Sequence, residues 1–356
     1  MKILQIIPTL DCGGAEHFVC EISNELCQKG HEVDILTLFN VQMDNPLRQV
    51  LDKRIRVYSF NKKKGFEPRF FYSLWRFINR RKYDVVHGHV SAIKYMILAS
   101  IMCKKVRFVA TIHSEASREA GKYIDKWARW LMFRNNICIP VTISEESELS
   151  FEQFYGRKAA IIYNGVSDFV RKQKIELHDN DEQIVFIHAA RCVPVKNQQL
   201  LFSAFNRLLD KGYNAKMVWV GNNDSNYFLF NSLKPLMKRN FSLLGVVDNV
   251  RDYMMAADAM CLSSKMEGMP MTIIEAFSVG CPVLCTPVGG CINMISQGEN
   301  GMMSASLTID SYYKMLESFV VMSREERKRM SAQALASFEK YTIKNCAEKY
   351  MKLYGI

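Results

Sequence analysis

The chain has 356 residues, 49% hydrophobic and 23% charged, a composition that is typical of globular proteins and excludes disordered, collagen-like and coiled-coil chains. No run approaches the roughly 20 apolar residues of a membrane-spanning helix, and the 11 cysteines are too scattered for a disulfide framework, so free thiols are expected. The net charge of +11 is concentrated in the first half, where residues 1–165 hold 25 Lys/Arg and 17 Asp/Glu, a balance of +8. A basic first half predicts an anionic partner such as phosphate, nucleic acid or a membrane surface.

Apolar runs alternate with amphipathic stretches, as in βαβ units with parallel sheets. The first half contains five predicted strands, over residues 2–8, 32–38, 85–89, 107–112 and 137–142. The second half contains four, over residues 184–189, 216–220, 259–262 and 282–285. In each half a helix follows the first strand and ends near a glycine, Gly30 or Gly212, because glycine adopts the left-handed conformation without a Cβ penalty.

This repetition predicts two Rossmann-like α/β domains, residues 1–166 and 184–340, joined by a polar linker over 167–183. The last predicted helical stretch covers residues 338–354. Two such domains would face each other across a central cleft at the carboxyl ends of their strands, where open α/β sheets bind ligands.

The first turn between a strand and a helix contains Gly13 and Gly14. Glycines at a helix N-terminus let backbone N–H groups approach an anion, although a plain tight turn explains the pattern equally well. The segment is not G-x-G-x-x-G, so neither a nicotinamide nor a flavin cofactor is indicated.

The corresponding turn of the second half carries Arg191 and Lys196. A guanidinium and an ammonium there suit a diphosphate. Isolated surface cations are the ordinary alternative, but the place above a strand end favours a ligand.

The strongest motif runs from Glu267 through Gly268, Met269 and Pro270 to Glu275. Pro270 is predicted in the first turn of a helix, with Glu267 in the preceding loop and Glu275 on the second turn. Two carboxylates that accept from sugar hydroxyls would then flank backbone N–H groups that suit an anion. A glycosidase also uses paired carboxylates, but across a scissile bond, and the helical offset argues against that reaction.

Three histidines stand at predicted strand ends. His113 follows the fourth strand, and a neutral imidazole there can donate to a sugar hydroxyl or a phosphate oxygen. His87 and His89 share one strand face, but no third metal ligand is evident, so a structural or acceptor-side role is favoured over a metal site.

A basic and aromatic segment covers residues 62–82. It predicts a core-packed helix with a solvated basic face. That face could attract anionic lipid at roughly 1 kcal/mol per cation, whereas nucleic-acid binding is disfavoured because no such motif accompanies the charge.

Taken together, the motifs resemble the retaining GT-B glycosyltransferases called family 4, over nearly the whole chain. Their order carries the resemblance: Gly13-Gly14-Ala15-Glu16, Thr111-x-His113, Asn164-Gly165-Val166, Arg191 with Lys196, Gly245, Glu267-x7-Glu275 and Pro282-Val283. The resemblance implies a GT-B fold in which residues 341–356 form a helix that crosses back to the first domain. The first domain would take the acceptor and the second the nucleotide-sugar donor.

The resemblance also implies a role for each matching residue. The donor diphosphate would be held by Arg191, Lys196 and the Gly14 backbone. Glu275 would bind the ribose, and the nucleobase would lie against Gly245 and Val246. Glu267, Gly268 and Met269 would bind the donor sugar, with His113 and Glu267 as the catalytic-site residues. Two departures are Asn293, where the family has a carboxylate, and Met269-Pro270 in place of Phe-Gly.

The expected function is a retaining transferase that moves a hexose or N-acetylhexosamine, from a UDP-sugar by default, to a polyprenyl-linked or other saccharide in surface-polysaccharide synthesis. No metal or other cofactor and no nucleic acid are expected. The expected location is cytoplasmic, with a membrane surface as a further partner of the basic first domain. A non-catalytic protein that binds nucleotide sugar or membrane, and a sugar-nucleotide 2-epimerase of the same fold, are the alternatives.

Overall fold

The computed structural model describes residues 1–11, 13–40, 45–63, 67–120, 123–221 and 238–356. The chain forms two compact units, Met1–Ser167 with Thr342–Ile356, and Asp168–Tyr341. Each unit has its own parallel sheet with helices packed on it. This architecture confirms the prediction of two Rossmann-like domains.

The sheet of the first unit has seven parallel strands in the order β3-β2-β1-β4-β5-β6-β7. The strands are β1 (Lys2–Ile7), β2 (Glu32–Thr37), β3 (Arg56–Ser59), β4 (Val85–His89), β5 (Arg107–Ile112), β6 (Ile139–Thr142) and β7 (Ala160–Ile161). The helices are α1 (Gly14–Gln28), α2 (Pro46–Gln49), α3 (Arg69–Arg81), α4 (Ile97–Met102), α5 (Ala116–Glu119), α6 (Tyr123–Arg134) and α7 (Glu145–Tyr155), with a 3-10 segment over Val90–Met96.

The sheet of the second unit has six described strands in the order β10-β9-β8-β11-β12-β13. The strands are β8 (Ile184–Ala189), β9 (Ala215–Val220), β10 (Phe241–Gly245), β11 (Ala259–Leu262), β12 (Val283–Cys285) and β13 (Gly301–Met303). The helices are α8 (Gln198–Asp210), α9 (Val250–Ala256), α10 (Met271–Phe277), α11 (Cys291–Met294), α12 (Ile309–Val320) and α13 (Arg324–Ser337), with 3-10 segments over Pro194–Lys196 and Phe338–Tyr341.

The last helix, α14 (Ile343–Tyr354), belongs to the first unit. Val166 forms a parallel bridge with Thr342, whose side chain caps α14. A Cβ on Gly165 would meet backbone atoms of Thr342 and Ile343, so this glycine permits the close approach. The expectation that the last helix returns to the first domain is confirmed.

Glycine ends the first helix of each unit as predicted. Helix α1 stops at Gln28, and Gly30 adopts a φ of +89°; helix α8 stops at Asp210, and Gly212 adopts a φ of +85°. Both glycines are in the left-handed region that residues with a Cβ avoid.

The polar segment predicted as a linker packs on the second unit. Leu177 is buried with Val185 and Val218, and the backbone N–H of Gln173 donates to Asp252 Oδ2 at 3.0 Å. No described helix is long and apolar enough to cross a bilayer. Each of the cysteines in the described ranges is free.

Candidate functional site

A line of polar side chains lies at the carboxyl end of the first sheet, where β1, β4 and β5 run side by side. His89, the last residue of β4, places its Nε2 2.8 Å from Gln5 Oε1 and its Nδ1 3.0 Å from His113 Nε2. Gln5 and His89 are fully buried, and His113 is half-buried. The three side chains thus connect the interior of the unit to the His113 imidazole.

A second line of hydrogen bonds joins the same strands to α14. His87 Nδ1 lies 2.7 Å from the Tyr354 hydroxyl, and His87 Nε2 lies 2.7 Å from Thr111 Oγ1. Thr111 Oγ1 lies 2.8 Å from the Tyr350 hydroxyl. Because Tyr350 and Tyr354 are spaced i, i+4, they share one face of the helix. That face of α14 closes over β4 and β5.

Burial keeps these imidazoles neutral. Desolvation lowers the pKa of His113 to about 3 and holds the pKa values of His87 and His89 well below their ordinary value. Neighbouring imidazoles add to the shift for His87 and His89. A neutral imidazole has one N–H donor and one bare acceptor, so the site can form directional hydrogen bonds without charge.

A buried ion pair fixes the loop that carries His113. The backbone N–H of His113 donates to Glu119 Oε2 at 2.7 Å, and Arg129 Nη1 lies 3.3 Å from Glu119 Oε1. Arg129 Nη2 donates to the Val90 carbonyl at 2.8 Å. Val90 directly follows His89 with a φ of +54°, which costs a β-branched residue about 1–3 kcal/mol. One arginine therefore holds the backbone next to both imidazoles.

The sequence placed His87 and His89 on one strand face, and the structure puts both there, within reach of partners from distant segments. The sequence did not predict a role for Gln5, Glu119 or Arg129, because nothing in the local pattern around them indicates a functional site. The two tyrosines of α14 offered one signal, their i, i+4 spacing on the last predicted helix.

The glycine turn of the first unit opens α1. Gly14 is the first residue of α1, and Gly13, its N-cap, has an extended backbone. A Cβ on Gly13 would overlap the Glu16 carboxylate, which lies in the first turn. Cys12 lies outside the described residues. A carboxylate at a helix N-terminus complements the helix dipole.

In the second unit, a lysine and a glutamate from separate motifs meet. Lys196 Nζ donates to Glu267 Oε1 at 2.6 Å, and the Ser264 hydroxyl donates to the same oxygen. The Lys196 side chain is 19% exposed and that of Glu267 is 10% exposed. Ser263 Oγ donates to the Lys196 carbonyl at 2.8 Å. These bonds join the loop after β8 to the loop after β11.

Arg191 starts the turn that Lys196 ends. The Arg191 residue is exposed, and its backbone carbonyl accepts a hydrogen bond from Gln198 Nε2 at 2.9 Å. Asn197, with a φ of +50°, then caps α8. An exposed guanidinium and a largely buried ammonium are thus presented from the two ends of one short turn.

Glu275 is buried on the second turn of α10, where the sequence predicts it. The prediction that Pro270 lies inside the first turn is wrong by one position, because α10 begins at Met271 and Pro270 is its N-cap, with an extended ψ of 113°. The Pro270 carbonyl accepts the first helical hydrogen bond, from Ile273 N–H at 3.1 Å, as an N-cap carbonyl does.

Two glycines bring the loop of Glu267 close to the loop before α11. The backbone N–H of Gly290 donates to the Gly268 carbonyl at 2.8 Å, and a Cβ on Gly290 would overlap that oxygen. Met269, the next residue, is buried. Asn293, where the related motif has a carboxylate, is exposed on α11.

The residues expected at the nucleobase stand at the carboxyl end of β10. Gly245 ends the strand with a φ of +76°, and Val246 is 66% exposed. The Gly245 carbonyl accepts from Gly221 N–H at 2.9 Å.

The predicted site residues thus divide between the units. Gly14 and His113 belong to the first unit, and the others lie at or after strand ends of the second unit or on α10. Within the described ranges, no group of three His, Cys, Asp or Glu side chains is arranged to hold a metal ion.

Comparisons with known proteins cover nearly the whole chain. The sequence model of "Glycosyltransferase Family 4" matches residues 12–168, and that of "Glycosyl transferases group 1" matches residues 169–336. An Escherichia coli UDP-Gal:alpha-D-GlcNAc-diphosphoundecaprenol alpha-1,3-galactosyltransferase is 26% identical over 267 residues, 68% of each chain. A Campylobacter jejuni alpha-1,4-N-acetyl-D-galactosaminyltransferase that acts on a GalNAc-containing undecaprenol diphosphate saccharide is 25% identical over 99% of this chain and 98% of its own.

The fold has solved counterparts. Anabaena HepE, in a crystal structure with UDP and glucose, superposes with a TM-score of 0.81 at 18% identity, over 100% of this chain and 99% of that one. The structural neighbours are GT-B glycosyltransferases, so the predicted GT-B fold class is confirmed.

Proposed function

We propose a function from the premise that this chain belongs to glycosyltransferase family 4 and is a glycosyltransferase of the hexosyltransferase class. It transfers a hexose or an N-acetylhexosamine from a UDP-sugar to a lipid-linked saccharide during surface-polysaccharide synthesis, with retention of anomeric configuration. The observation that carries the proposal is the Lys196–Glu267 pair, with Arg191 five residues before Lys196.

The donor is the best supported part of the proposal. The Escherichia coli relative is named for UDP-Gal, and the Anabaena structure contains UDP and glucose. A diphosphate needs cations that approach from more than one direction, and the turn after β8 offers Arg191 and Lys196 from its two ends. A bidentate guanidinium and a point-charge ammonium are complementary in that task.

The reaction would use charge stabilisation by the protein. As the bond from the anomeric carbon to the diphosphate breaks, negative charge develops on the leaving oxygen, and preorganised cations stabilise it most when they are already in place. Lys196 is held by Glu267 and by its backbone contact with Ser263, so little reorganisation is required. The proposal needs no metal and no protein nucleophile, with the departing phosphate as the base for the acceptor hydroxyl.

The carboxylates would divide the remaining contacts. Glu275, buried on α10, would bind the ribose hydroxyls. Glu267 would bind the donor sugar together with the backbone of Gly268 and Met269. Glu275→Ala should therefore weaken UDP binding. Glu267→Ala should chiefly reduce sugar transfer, because it also leaves Lys196 without its carboxylate. Equal effects of both changes on UDP affinity would contradict this division.

A lipid-linked acceptor is supported by the undecaprenol diphosphate acceptors in the names of both relatives. The proposed place of action is the cytoplasmic face of a membrane. On α3, Phe70, Leu74 and Ile78 are buried, and the opposite face is basic.

Helix α6 adds a second surface that suits a bilayer. Trp127 and Trp130 are 58% and 37% exposed, with exposed Lys126 and Arg134 beside them. Exposed tryptophans with cations are typical of surfaces that lie at lipid headgroups. Flotation with anionic but not neutral vesicles would support this contact, and its loss in the double variant Trp127→Ser, Trp130→Ser would place it on α6.

The first experiment is thermal stabilisation by UDP, GDP, ADP and CDP, each with magnesium and with EDTA. A ligand at 100 times its dissociation constant stabilises by about 2.7 kcal/mol, an easily seen shift. A response to UDP that EDTA leaves unchanged supports a metal-independent UDP-sugar transferase. If none of the four nucleotides raises the unfolding temperature of the folded protein, the roles of Arg191, Lys196 and Glu275 are contradicted and a non-catalytic protein is favoured.

A further inference from the structure

We propose that Gln5 and His89 are positioning residues that fix His113 as the Nε2–H tautomer, so that its Nδ1 accepts a hydrogen bond from a hydroxyl of the donor sugar. The inference deepens the proposed function and rests on it, and it takes one point from the family resemblance, that His113 contacts that sugar. It assigns a task to two buried side chains, His89 and Gln5, of which Gln5 is marked by no motif.

Gln5 sets the position of the first proton. Its amide oxygen faces His89 Nε2 at 2.8 Å, while its amide nitrogen is buried without a hydrogen-bond partner in the described part of the chain. In this orientation of the amide the carbonyl oxygen only accepts hydrogen bonds, so His89 Nε2 carries the proton. Since burial keeps this ring neutral, His89 Nδ1 is a bare acceptor. The nitrogen that faces it at 3.0 Å, His113 Nε2, must therefore carry the proton that joins the two rings.

One nitrogen of His113 is left for a ligand. With its proton on Nε2, the neutral ring has its lone pair on Nδ1, which forms no hydrogen bond with any residue in the described part of the chain. A lone pair accepts from a hydroxyl, whereas an ionised phosphate oxygen has no proton to offer. The geometry therefore favours a sugar hydroxyl over the diphosphate as the partner of His113.

The surroundings make the arrangement rigid. Gln5 and His89 are fully buried, so water does not replace either partner. Phe18 packs against both imidazoles, with ring centroids 6.1 Å from His89 and 5.7 Å from His113. The backbone N–H of His113 is held by Glu119 at 2.7 Å.

The second hydrogen-bonded line supplies a matched control. His87 lies two residues before His89, on the same strand face and equally buried. It contacts Tyr354 and Thr111 and makes no hydrogen bond to His113. A change at His87, whose ring centroid lies 4.1 Å from that of His89, disturbs a similar environment without removing a hydrogen bond of the proposed line.

The test is long-range ¹H–¹⁵N correlation NMR on the full chain with ¹⁵N-labelled histidine, which distinguishes a protonated ring nitrogen from a bare one. His113 signals are assigned by their loss in His113→Phe. We expect Nε2–H at His113 in the wild-type chain and in His87→Leu, and a mixture of tautomers in His89→Leu. His89→Asn keeps an acceptor oxygen near the place of Nδ1 and should retain Nε2–H, which covers the case in which the leucine variant does not fold.

A second readout is UDP release from UDP-glucose, UDP-galactose and their N-acetylamino counterparts. We expect His89→Leu to lower kcat/KM about tenfold, the cost of a buried hydrogen-bond partner, with UDP affinity unchanged and with activity partly restored in His89→Asn. An Nδ1–H tautomer in the wild-type chain, or His89→Leu without effect on tautomer and turnover, would overturn the inference. If the wild-type chain neither binds UDP nor releases it, the proposed function fails, while the NMR result still decides the tautomer.

Discussion

The two units use similar sheets for opposite chemistry at their strand ends. In the first, amide, imidazole and phenol groups form a neutral, buried network around His89 and His113. In the second, Lys196 and Glu267 form a partly exposed ion pair near the exposed Arg191. The comparison teaches that the fold supplies the place and the side chains supply the chemistry: neutral hydrogen bonds suit hydroxyls, and charge suits a diphosphate.

The difference begins in the residues that end the strands. In β4, Gly88 separates His87 from His89, and a Cβ there would meet the Met96 side chain. The glycine thus lets Met96 pack on one face of the strand while both histidines occupy the other. In the second unit, β8 ends in Ala189, and charge enters only in the following turn.

The largest expected effect comes from removing charge in the second unit. We expect Arg191→Ala to lower turnover about 100-fold, because loss of one group that stabilises developing negative charge costs about 10²–10³ in rate. UDP release from a UDP-sugar measures it. Arg207→Ala, which removes a surface arginine of α8 paired with Asp310, is the matched control. Unchanged turnover in Arg191→Ala would mean that the diphosphate assignment is wrong.

Acid should weaken the first unit more than the second. Folding lowers the pKa of His113 to about 3 and that of His188, buried in the second unit, to about 4, whereas an unfolded histidine titrates near 6.5. Below about pH 6.5 the unfolded chain binds more protons, so the free energy of unfolding falls as the pH falls, by about 1.4 kcal/mol per pH unit for each such histidine. Above that pH this stabilisation is fully present.

The first unit buries three such histidines at its strand ends, His87, His89 and His113, whose pKa values are all lowered by burial. Its free energy of unfolding should therefore fall more than that of the second unit between about pH 6.5 and about pH 5. Amide hydrogen exchange, corrected for intrinsic rates, compares β4 and β5 with β8 and β9 across that range. An equal loss of protection in the two sheets would contradict the comparison.

A smaller effect is expected when the neutral site loses its acceptor nitrogen. His113→Phe should lower kcat/KM for the UDP-sugar about tenfold, the cost of one buried hydrogen bond, while leaving UDP affinity unchanged because UDP has no sugar hydroxyl at this position. Calorimetric titration with UDP measures the UDP affinity, and the kinetics of UDP release measure kcat/KM. His31→Phe, in the turn before β2, is the control. A matching loss of UDP affinity would assign His113 to the diphosphate instead.

The sequence predicted the interior strands of both sheets but not the strands at their edges. All nine predicted strands are present, and the four that escaped prediction, β3, β7, β10 and β13, are the strands at the sheet edges. Interior strands of a parallel sheet are buried on both faces and form continuous apolar runs. An edge strand needs no such run: β3 has half-buried residues, and β7 spans two residues.

In the candidate site, the sequence likewise predicted individual residues but not which side chains contact each other. The sequence assigned Lys196 and Glu267 to separate motifs, but their contact joins positions 71 residues apart. The histidine network depends on register, since β4 pairs with β1 at Gln5–His87 and with β5 at His89–Thr111. Local patterns do not specify register between distant strands, so the motif residues could be named and their partners could not.

The smallest expected effect tests whether the charged site depends on packing as well as charge. Gly290→Ala places a Cβ against the Gly268 carbonyl oxygen, which should cost about 1–3 kcal/mol of stability and displace the loop of Glu267, so that UDP-sugar turnover falls. Gly298→Ala is the matched control, because Gly298 has a φ of +79° and open space around its Cβ position. It should destabilise the same unit through backbone strain alone. Thermal unfolding and UDP release, measured on both variants, separate the two effects. If both lose turnover in proportion to stability, the Gly268–Gly290 contact has no specific role, and the charged site depends on the stability of the unit as a whole.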